Sequence, residues 1–101
     1  MGKFSQTLRK YSNPEKAQKM AHQYLGKTAK IYPGTSSQKK YKIFDPLKQT
    51  WVHFGQLGYS DFTKHKDKKR RQSYLNRSKH IRGNWEKNKY SPNNLSRNIL
   101  W

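Results

Sequence analysis

The chain contains no cysteine and only five acidic residues among 101. Without cysteine there is neither a disulfide framework nor a thiolate metal site. The carboxylates, Glu15, Asp45, Asp61, Asp67 and Glu86, include no closely spaced pair in a setting that reads as a cleft, so the chain is expected not to be an enzyme. Aliphatic residues are scarce as well. Leu, Ile, Val and Phe number sixteen, below the roughly one-fifth of a chain that ordinarily supports a packed core. No apolar run approaches the ~18–20 residues of a membrane-spanning helix, and Met1–Gln6 has no apolar signal-peptide core. Gly2 fits the start of a myristoylation signal, but Gln6 stands where Ser or Thr is preferred.

What is abundant is positive charge and aromatic surface. Twenty-three Lys and Arg set the formal net charge at +18, and three Trp, seven Tyr and four Phe are threaded among them. A charge that high repels itself in a compact state and calls for an anionic partner. Disordered basic tails are poor in aromatic residues, so this composition points to a chain that folds or docks. The expectation is one small α+β unit with a marginal core that a partner or an assembly completes, in a reducing compartment.

Residues 1–27 read as a basic arm followed by an amphipathic helix. Phe4, Leu8 and Tyr11 have helical spacing in the arm. Asn13 and Pro14 form a cap and first turn, and Glu15 suits the positive end of the helix dipole. Ala17, Met20, Ala21, Tyr24 and Leu25 make one apolar face, opposite Lys16, Lys19 and His22, and Gly26 is the stop. Residues 28–101 read as a small α+β domain. A short strand over Thr28–Tyr32 ends at Pro33-Gly34 and a Thr-Ser-Ser loop. Tyr41–Phe44 and Thr50–Phe54 form an antiparallel hairpin around Asp45–Gln49. Alternation puts Tyr41 and Ile43 on one face and Lys42 and Phe44 on the other, so both faces carry aromatic rings. Asp67 is expected to cap a basic helix from Lys68 to about Ile81, with Tyr74, Leu75, Ser78 and Ile81 on one side and Gly83 at its end. Ser91-Pro92 opens a short last helix with Leu95, Ile99 and Leu100, and Trp101 is expected to pack.

The densest charge is Lys64-His65-Lys66-Asp67-Lys68-Lys69-Arg70-Arg71. Lys64, Lys66, Lys68, Lys69, Arg70 and Arg71, extended along the helix by Arg77, Lys79 and Arg82, are the candidate polyanion-binding residues. Arg grips phosphate with two parallel bonds and Lys acts as a point charge. The competing readings are a solvated surface or a nuclear-localisation patch. Trp51, Phe54, Tyr59 and Phe62 lie close in sequence to the basic block, as on a stacking platform for single strands, against the alternative that they form core. Asp61-x3-His65-x-Asp67 is the one cluster suited to a metal or to acid–base work, but Asp67 reads better as a cap and the other two as loop or core hydrogen-bonders. No catalytic residue, metal ligand, cofactor or small-molecule substrate is expected.

The stretch His53-Phe54-Gly55-x2-Gly58-Tyr59-x-Asp61-Phe62-Thr63-x-His65-Lys66-Asp67-x2-Arg70-Arg71-x2-Tyr74-Leu75-x-Arg77 resembles a family of small, basic, largely uncharacterised proteins of nucleocytoplasmic large DNA viruses. The ending from Gly83-Asn84-Trp85 through Tyr90–Leu95 to Leu100-Trp101 is similar to that of some members. The likeness runs from about Lys40 to Trp101. It implies a viral setting and a place in the virion, and it carries over no catalytic residues.

Two roles then fit. The first and favoured one is a minor capsid protein on the inner side of the shell. It would be docked on the major capsid protein and other virion proteins through Phe4, Leu8, Tyr11, Trp51, Trp85 and Trp101, with its cations toward genome or anionic membrane. Host cytoplasm or nucleus would be its site of assembly. The alternative is a sequence-independent DNA-binding protein that packages the genome through the Lys64–Arg82 region.

Overall fold

The computed structural model describes residues 4–35, 38–83 and 85–101. The first three residues of the expected arm, Ser36 and Ser37 of the expected loop, and Asn84 lie outside the described residues.

The chain opens with two helices, α1 (Gln6–Tyr11) and α2 (Pro14–Leu25). Ser5 caps α1 by accepting the Leu8 N–H at 3.1 Å. Asn13 caps α2 by accepting from Lys16 N–H at 3.1 Å, which supplies a partner for an otherwise orphaned first-turn donor. Gly26 ends α2 at φ 110°, a conformation that favours glycine. Lys16, Lys19 and His22 are exposed, as the helical periodicity requires, while Ala17 and Ala21 are fully buried.

Three antiparallel strands follow in a meander, β1 (Ile31–Pro33), β2 (Lys39–Asp45) and β3 (Thr50–Gln56), with β2 in the centre. β1 pairs Ile31 with Ile43, and the β2–β3 hairpin pairs Tyr41 with Phe54, Ile43 with Val52 and Phe44 with Trp51. β1 starts three residues later than expected. Gln18 accounts for this: its side chain bonds both the Ala29 carbonyl and the Ile31 N–H, so Ala29 is tied to α2 instead of to β2. The Asp45 carboxylate closes the hairpin by accepting from the N–H groups of Leu47 and Lys48.

A one-turn helix, α3 (Phe62–His65), leads to α4 (Lys68–Ser78). Asp67 caps α4 at Lys69 N–H and Arg70 N–H. The helix stops at Ser78, three residues before the expected end. Beyond it His80 and Ile81 bond back three residues, to Arg77 and Ser78, which tightens the last turn. Ile81 is consequently 52% exposed instead of joining the buried side. A 3₁₀ turn (Trp85–Lys87) precedes α5 (Pro92–Leu95), which Ser91 caps and which runs into a π-helical turn (Ser96–Leu100).

One core joins these parts. Leu8 of α1, Ala17 and Ala21 of α2, Ile31, Tyr41, Ile43 and Phe54 of the sheet, and Leu95, Ile99 and Leu100 of the C-terminal helices form a single buried cluster. The inner sheet face is thus covered by α2 and the C-terminal helices together. The architecture is small α+β, with helices before and after the three-stranded sheet.

Candidate functional site

A buried polar network fixes the chain just ahead of α4 to the rest of the molecule. Lys40 Nζ donates to Asp61 Oδ2 at 2.9 Å, with side-chain exposures of 3% and 0%. The other Asp61 oxygen caps α3 by accepting from Thr63 N–H at 3.0 Å and also takes the Thr63 hydroxyl. Thr63 Oγ1 accepts from Asn13 N–H at 2.9 Å and, with its own proton given to Asp61, from the Ser12 hydroxyl at 3.2 Å. The Tyr41 hydroxyl closes the chain by donating to Ser12 at 2.6 Å. Strand β2, the α1–α2 junction and the start of α3 are therefore one hydrogen-bonded unit. Burial pulls the Lys40 ammonium below the usual lysine range, and Asp61 opposes that shift.

From this anchor the chain makes a left-handed turn at Lys66 (φ 57°) and enters α4. His65 is held across the turn, its Nδ1 accepting from Asp67 N–H at 2.9 Å. That bond leaves the ring hydrogen on Nε2 in the neutral form. Nε2 is buried and has no hydrogen-bond partner among the described residues. Burial, then the nearby Arg70 cation, pushes the His65 pKa down. The ring lies 5.2 Å from Trp101, which in turn stacks on Tyr74 at 4.3 Å and 12°.

Every residue of the expected polyanion set, Lys64, Lys66, Lys68, Lys69, Arg70, Arg71, Arg77, Lys79 and Arg82, is exposed. The ion pairs among the described residues are Arg9–Glu15 and Lys40–Asp61, so none of these nine cations is ion-paired with an Asp or Glu among the described residues. Arg71 stands apart from the others: it packs over the Phe62 ring and donates to a main-chain oxygen of Trp101.

Three of the nine, Lys69, Arg70 and Arg77, line a groove of about 990 Å³ between α4 and the Lys39/Gln56 end of the sheet. Lys39, Tyr59, Tyr74 and Trp101 share its walls, and among the described residues no Asp or Glu lines it. Nothing in the linear pattern joins Lys39 to the basic helix. The pairing arises because Asp61 and Thr63 bring the start of α4 back to β2. The sequence signals that mark the place are Gly55 and Gly58, both at positive φ, on either side of the turn into Tyr59.

The residues expected to dock on proteins are placed very differently. Leu8 is core, and Phe4 packs edge-on against buried Tyr41 at 5.6 Å. Tyr11 is half-buried and its carbonyl accepts from Asp61 N–H. Trp85 donates to the Ile81 carbonyl at 2.7 Å and lies under Arg97. Trp101 is held by Tyr74. Trp51 alone of the six lies open, at 48% exposure, between Tyr32 and Phe44 on the outer face of the sheet, with Lys42 over its ring at 4.8 Å. Of the four rings nearest the basic block, Phe54 is core and Phe62 is half-buried, whereas Tyr59 is 68% exposed on the groove.

A family described as of unknown function (DUF5754) matches residues 29–78, the stretch holding the sheet, α3 and α4. No curated protein and no solved structure matches the chain.

Proposed function

We propose that this protein is a non-enzymatic binder of polyanions that grips nucleic-acid phosphates, without reading sequence, through α4 and its flanks. The carrying observation is the set of nine exposed cations from Lys64 to Arg82, none of them ion-paired with an Asp or Glu among the described residues. Uncompensated charge at this density gains by exchanging condensed counterions for phosphate contacts. The helix that carries it is tied to the C-terminal helices, where Arg97 donates to the Leu75 carbonyl and Asn93 to the Ser78 carbonyl, so the cations are presented on an anchored element. The resemblance to proteins of large DNA viruses supplies the setting, a virion in which packaged genome is the polyanion.

The test is duplex DNA of two unrelated sequences, titrated over a range of salt. Both should bind with equal affinity, and affinity should fall steeply as salt rises. Replacing Lys68 and Lys69 by Ala should reduce the logarithmic salt slope by about one for each phosphate that the variant no longer grips. Weak binding that is flat in salt overturns the proposal.

A second reading, a minor capsid protein docked on the inner shell, draws support from the Tyr32–Trp51–Phe44 face. Exposed rings on a sheet suit burial against a protein neighbour. With Leu8, Trp85 and Trp101 engaged inside the molecule, docking under this reading rests on Trp51. Trp51→Ala should then lower incorporation into particles while DNA affinity is unchanged, and unchanged incorporation sinks it.

A further inference from the structure

We infer that the groove between α4 and the end of the sheet takes a single strand of nucleic acid, with phosphates along α4 and a base stacked on Tyr59. This rests on the reading of α4 as a phosphate-binding helix and adds what the groove itself selects.

Arg70, Tyr74 and Arg77 are spaced i, i+4 and i+7, one face of α4, and all three line the groove together with Lys69. Lys39 adds a cation from the opposite wall, and no Asp or Glu among the described residues lines the space. An anion that enters is met from both sides, which a flat basic helix alone does not offer.

An open aromatic ring decides which anion. Tyr59 is 68% exposed and lines the same groove, directly after Gly58 at φ 103°. It makes no ring contact among the described residues, unlike Tyr74, Trp101 and His65, which pack on one another. A duplex keeps its bases stacked inside a cylinder and offers the groove only phosphate. A single strand offers phosphate and an open base face at once, and stacking on an aromatic side chain tolerates any base.

The experiment compares an oligothymidylate, an oligouridylate and a duplex of matched length, binding the full chain at one moderate salt concentration. Single strands should bind about tenfold tighter than duplex. Tyr59→Ala should remove that advantage and leave duplex affinity unchanged, while Arg70→Ala with Arg77→Ala should weaken all three. Tyr59 is surface-exposed, and a thermal melt equal to the wild type verifies that the variant folds. A preference for the DNA strand, the RNA strand or both supports the inference and identifies the sugar. Equal affinity for strand and duplex, untouched by Tyr59→Ala, overturns it while the charge reading stands. No binding of any of the three at low salt overturns the phosphate reading beneath it.

Discussion

Lys40 and Asp61 form an ion pair at 2.9 Å that is sealed from water on both sides. In a chain with twenty-three cations and five acids, burying a carboxylate removes a fifth of the available counter-charge from the surface. What is gained is position: Asp61 also caps α3 and holds Thr63 against the α1–α2 junction. Removing one partner strands the other charge in a low-dielectric site, which typically costs about 3–5 kcal/mol. Lys40→Met and Asp61→Asn should each lower the unfolding free energy from a urea titration by an amount in that range. The double variant should be less destabilised than the two single effects added, because no lone charge remains. Additive effects would show that the two side chains act separately.

The tyrosines predict how the fold responds to alkali. Burial pushes the Tyr41 phenol far above its ordinary value, and Tyr24, Tyr74 and Tyr90 are raised by burial too. Above about pH 10 an unfolded tyrosine loses its proton while these folded ones keep theirs. The native state then holds more protons, so stability falls as pH rises. The stabilising contribution is complete below about pH 10 and is lost progressively above it. Lys40 has the opposite sign, since its lowered folded pKa makes the unfolded state the better proton binder between that value and about pH 10.4. Denaturant titrations on either side of pH 10 should therefore show a steeper alkaline loss in the wild type than in Tyr41→Phe. Equal slopes would mean that Tyr41 ionises freely in the folded protein.

The sequence made some of this legible and hid the rest for identifiable reasons. Helix α2 was readable end to end because Asn13, Pro14 and Gly26 act locally and its apolar period is unbroken. The hairpin was readable through the alternation of Tyr41, Ile43 and Phe44. The end of α4 was not: Ile81 fits the helical period, but His80 and Ile81 bond back three residues in the last turn, where the Leu75 carbonyl accepts from Arg97 and the Ser78 carbonyl from Asn93, both far along the chain. Asp61 and His65 were expected as hydrogen-bonders, and they are. The partner of Asp61 was beyond reach, since Lys40 lies in a strand where alternation puts it with Lys42 and Phe44 on the outer face. The same holds for the groove, whose two walls are far apart in sequence.

Gly55 shows how tightly the end of β3 is packed, and it gives a direct test. Its φ is +78°, and a Cβ there would sit 2.8 Å from Leu100 Cδ1 and 3.3 Å from Lys40 Cβ. Gly55→Ala therefore combines left-handed strain with overpacking against a core leucine. A loss of about 1–3 kcal/mol is expected. Gly58→Ala keeps the positive φ but meets no atom within 4 Å, so it should cost less. Comparing the two melts separates strain from crowding, and equal losses would remove Leu100 from the explanation.

Trp101 distinguishes internal packing from external docking. Its ring is stacked on Tyr74 at 4.3 Å and faces His65 at 5.2 Å, and Arg71 donates to its main chain. A half-buried Trp with one well-formed stack should contribute on the order of 2 kcal/mol. Trp101→Ala should lower the melting temperature by about 8–16 °C, because a chain of this length shifts roughly 4–8 °C per kcal/mol at the midpoint. Trp101→Phe retains a ring over Tyr74 and should recover much of the loss. Tyr74→Ala should add little to Trp101→Ala, since each removes the same stack. A Trp101→Ala protein with an unchanged melt would return Trp101 to the surface and reopen it as a contact for a neighbouring protein.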